Sequence, residues 1–258
     1  MKKIYITLLL ILSLSTISLV AQGTKENTTE ADKTIVIASN CEWPPLEFVD
    51  KNGAMVGFEI DLINEIANET GYKFVIKNVS WDGIFAGLAN GAYDGVASGV
   101  SVTEERKATL NFSTTYLKVT QAIICLSENN KPATTIKELA GKKVGVLIGS
   151  TGDIMLQDSG LDVKIMSYDS IALAVEDLLN GNLSAVVTDS VVAGEYVVSN
   201  KVFAGKLKVS GKSEDNVEPI AMCFKKGDSK TTDIINKGLK ALEENGKLDE
   251  LKVKWAIL

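Results

Sequence analysis

The chain has 258 residues, of which 45% are apolar and 23% charged, a composition typical of a globular protein large enough for one or two domains. It contains no histidine, so the commonest general base and the commonest metal ligand of proteins are both missing, and we expect neither a metal site nor a cofactor. The formal net charge of -6 disfavours nucleic acid as a partner, because a phosphate backbone attracts positive surfaces.

Residues 1–23 have the features of a secretory signal peptide. Two lysines at the start are followed by an apolar run from residue 4 to residue 20, and Ala21 and Gly23 are small residues suited to a signal peptidase. An uncleaved membrane anchor is the alternative, which the serines and the threonine in the second half of the run disfavour. No cysteine follows the signal, so we expect a periplasmic protein rather than a lipoprotein, with a flexible tether at 24–33.

The next part of the chain alternates between strand-like and helix-like segments. Short apolar runs are typical of buried parallel strands, and apolar residues at helical spacing that end at a glycine indicate helices. This alternation predicts an α/β fold. The predicted elements are strands at 35–38, 73–79 and 95–97 and helices at 57–70 and 84–91.

The second half of the chain repeats the pattern. Residues 88–98 and 178–188 each contain a helix end, an Asn-Gly pair, a loop and a buried strand that ends in a hydroxyl residue, all in the same register. We therefore predict two similar α/β lobes. The elements predicted here are helices at 136–140, 171–179 and 191–198 and strands at 143–148 and 185–187.

Polar residues that follow the predicted strands are candidate ligand contacts, because ligands of open α/β sheets bind outside the carboxyl ends of the strands. Among them Asp189 is suited to accept a hydrogen bond from an ammonium group. Its alternative role is to cap the helix predicted at 191–198. The candidates chosen by position are Asn40, Ser98, Gly99, Ser101, Ser150 and Asp189.

Arg106 is a candidate for binding an anion. It lies in the first turn of a helix that Thr103 is expected to cap, where the helix dipole favours acids rather than a cation. Exposed backbone N–H groups beside an arginine form an anion site, and a guanidinium can hold a carboxylate through two parallel hydrogen bonds. A solvated surface arginine is the alternative, and the local sequence favours it.

Two further features have both a binding and a structural interpretation. The segment Gly149-Ser150-Thr151-Gly152 offers N–H groups and hydroxyls to a carboxylate, but it is equally well explained as a glycine turn. It lacks the lysine of a phosphate loop, which disfavours nucleotides. Trp43 and Trp81 would either stack on a ligand or belong to the core, and the residues alone favour the core.

Taken together, the segments resemble the bacterial polar amino-acid-binding proteins of ABC transporters, solute-binding protein family 3, over about residues 34–257. That family implies two α/β lobes joined by a two-strand hinge, the type II-like periplasmic binding protein architecture, and a cleft that closes on its ligand. The segments that carry the resemblance are Trp43-Pro44-Pro45-Leu46-Glu47-Phe48, Gly57-Phe58-Glu59-Ile60-Asp61-Leu62, Trp81-Asp82-Gly83-Ile84-Phe85-Ala86-Gly87-Leu88, Ser101-Val102-Thr103-Glu104-Glu105-Arg106-Lys107, and Val144-Gly145-Val146 followed by Gly149-Ser150-Thr151-Gly152.

The resemblance implies a role for each candidate residue. Arg106 corresponds to the arginine that grips the ligand α-carboxylate, and Ser101 and Thr151 to the groups that assist it. Asp189 corresponds to the charged partner of the α-amino group. The remaining positions that the family implies are Ser98 and Gly99 at the amino group and Trp43 and Trp81 as stacking aromatics.

Asn40 is where the sequence departs from part of the family. Members that bind cationic side chains often carry an aspartate at this position. A neutral amide cannot balance a buried ammonium or guanidinium group, so the departure predicts a ligand with a neutral side chain. Glu42 is near enough to complicate that inference.

The resemblance also implies a topology. The chain is expected to cross between lobes near 118–121 and 215–219, so that one lobe consists of 34–118 plus 219–258 and the other of 121–215. An amphipathic helical stretch at 232–251 belongs to the first lobe. The family's strand order implies that Cys125 and Cys223 lie on neighbouring strands, and whether they form a disulfide is left open.

The predicted function is capture of a free amino acid and its delivery to the membrane permease of an ABC transporter, by a protein that is a monomer and performs no chemistry. The alternative is an enzyme on the same scaffold, such as a dehydratase of a cyclic carboxylic acid. Such an enzyme needs an acid poised against a carbon centre, and the acids of the expected cleft have simpler roles.

Overall fold

The structure, a computed structural model, describes residues 34–203 and 205–257. The predicted signal peptide and tether lie outside these residues. In chain order the strands are β1 (Thr34–Ser39), β2 (Glu42–Trp43), β3 (Glu47–Val49), β4 (Met55–Val56), β5 (Lys73–Asn78), β6 (Gly95–Val96), β7 (Leu110–Phe112), β8 (Leu117–Leu126), β9 (Lys143–Leu147), β10 (Lys164–Tyr168), β11 (Ala185–Asp189), β12 (Leu207–Ile220) and β13 (Cys223–Lys225). The helices are α1 (Phe58–Thr70), α2 (Ile84–Ala89), α3 (Glu104–Thr109), α4 (Thr151–Asp158), α5 (Ile171–Leu179), α6 (Ser190–Gly194), α7 (Ser229–Glu244) and α8 (Lys247–Lys254).

The strands form two five-stranded sheets with the same plan. The first has the order β5-β1-β6-β13-β7 and the second the order β10-β9-β11-β8-β12. In each sheet the first three strands are parallel, the fourth runs antiparallel to them, and the fifth runs antiparallel to the fourth. The predicted pair of similar α/β lobes is therefore confirmed, and β6 and β11, which end the two matching stretches of sequence, occupy equivalent places.

Helices begin and end where local chemistry favours it. Helix α1 carries Glu59 and Asp61 in its first turn, where the helix dipole stabilises acids, and it ends at Gly71 in the left-handed conformation. Helix α3 is capped by Thr103, whose hydroxyl accepts a hydrogen bond from the backbone N–H of Arg106, as expected. The Thr103 cap fixes the start of α3 and hence the position of Arg106 in its first turn.

Two long strands lie side by side where the sheets approach each other. Strands β8 and β12 pair antiparallel, with Leu117 opposite Ile220 and Val119 opposite Glu218. Ile220 also bridges to Ser101 of the first lobe. We propose that 118–121 and 215–219 are the crossings between the lobes.

Some predicted helices and strands differ in detail from those of the structure. The stretch 232–251 is two helices, because Asn245 ends α7 and Gly246 adopts a left-handed conformation before α8. The helix expected at 136–140 is a single 3-10 turn, Ile136–Leu139, and the one at 191–198 is split between α6 and a π-helical turn, Glu195–Ser199. A three-stranded sheet of β2, β3 and β4 was not anticipated, because its strands have only two or three residues.

The predicted neighbourhood of Cys125 and Cys223 is wrong. Cys125 pairs opposite Lys208 in the second sheet, whereas Cys223 lies between Val96 and Phe112 in the first. Each cysteine follows one of the two proposed crossings, but Cys125 lies in the second sheet and Cys223 in the first. They therefore lie on opposite sides of the crossing, and Cys41, Cys125 and Cys223 are all free and buried.

We expect three reactive thiols per chain when the protein is unfolded in denaturant without reductant. The reason is that neither sheet brings two cysteines together. A colorimetric thiol assay on the unfolded protein measures this, with a reduced sample as the control. One thiol before reduction and three after it would contradict the strand placement.

Candidate functional site

A cavity lies between the two lobes, at the carboxyl ends of the central parallel strands of both sheets, and its empty space, part of which is open to solvent, is about 340 Å³. Ten of the eleven predicted site residues line it. The lining consists of Asn40, Trp43, Trp81, Ser98, Gly99, Ser101, Arg106, Leu147, Ser150, Thr151 and Asp189.

Gly149 is the predicted residue that does not line the cavity. Its N–H donates to the Asp153 carboxylate at 2.8 Å, and its carbonyl accepts from the Arg106 guanidinium at 3.4 Å. Its φ of +66° is a left-handed conformation that favours glycine. Gly149 therefore shapes the turn that leads into α4. Leu147, which the sequence analysis missed, lines the cavity as the last residue of β9.

The guanidinium of Arg106 is held by backbone and aromatic groups. It donates to the carbonyl of Ser101 at 3.0 Å, and it lies over the rings of Trp81 and Phe85 at 5.7 and 5.1 Å from their centroids. Desolvation lowers the pKa of Arg106 from its usual value, but an arginine remains charged at neutral pH. Arg106 is thus a partly buried, oriented cation at the cavity rather than a solvated surface residue.

Asp189 is the acidic residue at the same cavity and is only 5% exposed. Its side chain makes no capping bond to α6, so the alternative role considered for it does not apply. Instead, the Trp43 indole N–H donates to its Oδ2 at 3.2 Å and the Gln121 amide to its Oδ1 at 2.7 Å. Desolvation, followed by repulsion from Glu218, raises the pKa of Asp189 to about 7.

The two tryptophans contact the opposite lobe. Trp43 reaches Asp189, and the indole N–H of Trp81 donates to the carbonyl of Ile148 at 3.1 Å. Both are less than a tenth exposed, so they are buried and also line the cavity. The core and binding interpretations of these residues are therefore compatible.

The hydroxyls of the predicted site have defined partners. Ser150 caps α4 by accepting from the N–H of Asp153, and Thr151 accepts from the Gln121 amide at 3.2 Å. Ser98 donates its hydroxyl hydrogen to Glu47 at 3.0 Å and accepts from the backbone N–H of Asn40 at 2.9 Å. The Ser98 hydroxyl can therefore offer a ligand only a lone pair.

Gln121 is a buried residue that the sequence analysis missed. Besides Asp189 and Thr151, its amide nitrogen donates to Glu218 at 3.2 Å, so one NH₂ group serves three acceptors. Gln121 lies on β8 and Glu218 on β12, the two strands proposed to cross between the lobes. The only signal in the sequence was a polar residue before the apolar run 122–126, which does not reveal partners far along the chain.

Within the described ranges no group of three or more Cys, Asp or Glu side chains is arranged to hold a metal ion. In the same part of the chain, no helix has both the length and the apolar character needed to cross a bilayer.

Comparison with known proteins identifies the family of the chain. The sequence model of the bacterial extracellular solute-binding proteins, family 3, matches residues 35–257. The chain belongs to this family. A probable histidine-binding protein of Neisseria gonorrhoeae is 32% identical over 225 residues, which cover 86% of this chain and 83% of the relative.

Solved structures are similar over most of the chain. The structure of an ancestral arginine-binding protein bound to arginine has a TM-score of 0.81 and 35% identity, and it covers 86% of this chain and 98% of that one. An ancestral arginine-binding protein bound to glutamine has the same TM-score and identity, with 86% and 97% covered. The chain is accordingly a solute-binding protein rather than an enzyme, and its relatives include an arginine-binding protein of an ABC transporter.

Proposed function

We propose that this solute-binding protein captures one free amino acid in the cavity between its lobes and delivers it to the permease of an ABC transporter. The observation that carries the proposal is that Arg106 and Asp189, one basic and one acidic residue, line the same small cavity. A free amino acid carries a carboxylate and an ammonium on one carbon atom, so it complements such a pair.

The carboxylate end of the ligand is assigned to Arg106, Ser101 and Thr151. The contacts of Arg106 with Ser101 and with the two aromatic rings orient its remaining N–H groups for a two-pronged bond to a carboxylate. Thr151 is the first residue of α4, where backbone N–H groups and the helix dipole favour an anion.

The ammonium end is assigned to Asp189, with Ser98 and Gly99 beside it. A buried ammonium needs an ionised partner. In the structure, loss of solvation and the nearby Glu218 disfavour ionisation of Asp189. An arriving cation would reverse that balance, because an opposite charge close by lowers the pKa of a carboxyl group.

The relatives do not support a restriction to neutral side chains, which Asn40 suggested, since one is a probable histidine-binding protein and a similar structure is bound to arginine. We propose instead a planar polar side chain, such as guanidinium, imidazole or carboxamide. Trp43 and Trp81 both line the cavity and offer aromatic faces, on which such planar groups stack. The amide of Asn40, which donates to the carbonyl of Val79, would be compatible with glutamine.

Members of the family act outside the cytoplasm, and we propose that this one does so as a free periplasmic monomer exported by residues 1–23. The absence of a cysteine after the predicted cleavage position supports this over a lipid anchor. The Arg106 and Asp189 groups belong to a single chain, so the proposed site needs no second subunit.

We expect L-arginine, L-histidine or L-glutamine to raise the melting temperature. A ligand at a hundred times its dissociation constant stabilises the folded state by about 2.7 kcal/mol, which is a shift of roughly 5–10 °C for a chain of this size. Differential scanning fluorimetry with a panel of amino acids measures it, and L-leucine tests the importance of the side chain.

Agmatine, which is arginine without its carboxylate, is the control for the role of Arg106. A protein that melts unchanged with every amino acid would contradict the proposal. Unaltered amino acid recovered after long incubation would agree with a binding protein, whereas its conversion to a product would support the dehydratase alternative.

A further inference from the structure

Two glutamates that do not line the cavity are fully buried beside it. Glu47 on β3 and Glu59 in the first turn of α1 are both 0% exposed, and they accept hydrogen bonds from the consecutive residues Ser98 and Gly99, so their carboxyl groups are neighbours. In the described part of the chain, no lysine or arginine forms an ion pair with either. Two ionised carboxylates in contact, away from water and without a cation, would repel strongly.

The hydrogen bonds distinguish the two groups. Glu59 accepts from the Gly99 N–H at 3.1 Å on both oxygens and from the Tyr116 hydroxyl at 2.6 Å, and it lies at a helix N-terminus. All of these stabilise a carboxylate. Glu47 accepts from the Ser98 hydroxyl on Oε1, whereas its buried Oε2 has no donor.

The missing donor at Oε2 of Glu47 is explained if this atom carries a proton. A buried carboxylate oxygen without a donor is costly, but a protonated Oε2 can itself donate to Glu59. Burial raises the pKa of both glutamates, that of Glu47 well above its ordinary value, which agrees with a proton held on Glu47.

The pair is connected to the cavity through two consecutive residues. Ser98 bonds to Glu47 and Gly99 bonds to Glu59, and both line the cavity. Gly99 has a φ of +57°, and a side-chain carbon placed there would lie 3.1 Å from the Trp43 ring. The Ser98–Gly99 turn is therefore bonded to the acid pair and also lies against the Trp43 ring.

We propose that Glu47 and Glu59 share one proton and act as a positioning pair that holds the Ser98–Gly99 turn in its ligand-binding geometry. Glu47 donates to Glu59 and accepts from Ser98, and Glu59 accepts from Gly99. The pair retains one negative charge beneath the position assigned to the ligand ammonium. Of these statements, only the effect of the acid pair on the affinity for an amino acid rests on the proposed function.

The matched variants Glu47→Gln and Glu59→Gln test the proposal. A glutamine at 47 reproduces the protonated acid, because its NH₂ donates to Glu59 and its carbonyl accepts from Ser98. A glutamine at 59 places an NH₂ group among the N–H of Gly99 and the hydroxyls of Tyr116 and Glu47, which are all donors. A merely space-filling role would make the two substitutions equivalent.

We expect the infrared spectrum of Asp189→Asn at neutral pH, a background that lacks the raised pKa of Asp189, to contain a protonated-carboxyl C=O band that disappears when Glu47→Gln is added. The amide resonance of Gly99 should shift strongly in Glu59→Gln and little in Glu47→Gln. L-arginine should bind to Glu47→Gln within about threefold of the unaltered protein, and at least about tenfold more weakly to Glu59→Gln.

A carboxyl band that persists when Glu47→Gln is added to Asp189→Asn, or equal effects of both glutamate variants on Gly99, would overturn the proposal. If the unaltered protein does not bind L-arginine, the ligand assignment fails, while the infrared and Gly99 measurements still decide whether the acid pair exists and positions the turn.

Discussion

Arg106→Ala is expected to weaken binding of the cognate amino acid by about 30-fold to 5,000-fold. Removing one partner of a buried, hydrogen-bonded charge pair costs on the order of 2–5 kcal/mol, and the ligand carboxylate would be left without a cation in a cavity shielded from water. Arg106 is the only arginine in the sequence, so no other guanidinium can replace it. Isothermal titration calorimetry measures the effect.

The fold should survive this substitution. Arg106 makes two hydrogen bonds to carbonyls and lies over two rings, contacts whose loss costs on the order of 1–2 kcal/mol. Lys107→Ala is the matched control, because Lys107 is the adjacent cation and pairs with Glu104 at the surface. Arg106→Lys should also bind poorly, since an ammonium cannot make the two-pronged contact. Near-normal affinity in Arg106→Ala would remove the basis of the carboxylate assignment.

Asp189→Asn is expected to weaken binding to a similar extent. The substitution keeps the shape of the side chain but removes the charge that opposes the ligand ammonium, so the free-energy cost is again on the order of 2–5 kcal/mol. The same calorimetric titration measures it, and Asp249→Asn at an exposed surface position is the control. If Asp189→Asn bound as tightly as Asp249→Asn, the ammonium would have to lie elsewhere.

The pH dependence of stability provides a second test of Asp189→Asn. The pKa of Asp189 is raised to about 7 in the folded protein, so the folded state binds more protons than the unfolded state between the ordinary carboxyl pKa and 7. The contribution of Asp189 to stability therefore falls as pH rises through this window. The melting temperature of Asp189→Asn, relative to the unaltered protein, should rise between pH 5 and pH 8.

Most of the cavity lining could be predicted because these residues lie next to strand ends that are recognisable in the sequence. Asn40, Ser98 and Asp189 come at or directly after the ends of parallel strands, and strands are recognisable as short apolar runs. Arg106 was the weakest case on its own, since a surface arginine has the same local sequence. Its identification depended on the resemblance to a family rather than on the residues.

The residues that support the lining could not be predicted, because their partners are distant in the sequence. Gln121 bonds to Asp189 and Glu218, 68 and 97 positions away, and Glu59 bonds to Gly99, 40 positions away. The cysteine prediction failed for a related reason. It required the direction of the chain after each crossing, and that direction is set by the pairing of whole strands.

The burial of all three cysteines has a practical consequence for observing lobe movement in solution. Cys41, Cys125 and Cys223 are at most 3% exposed, and burial raises the pKa of Cys223 to about 12, so few thiolates are available to an alkylating dye. A cysteine introduced at exposed Val49 in the first lobe or Val198 in the second would be labelled selectively. Fluorophores at both positions could report the separation of the lobes by energy transfer, with the native thiols left in place.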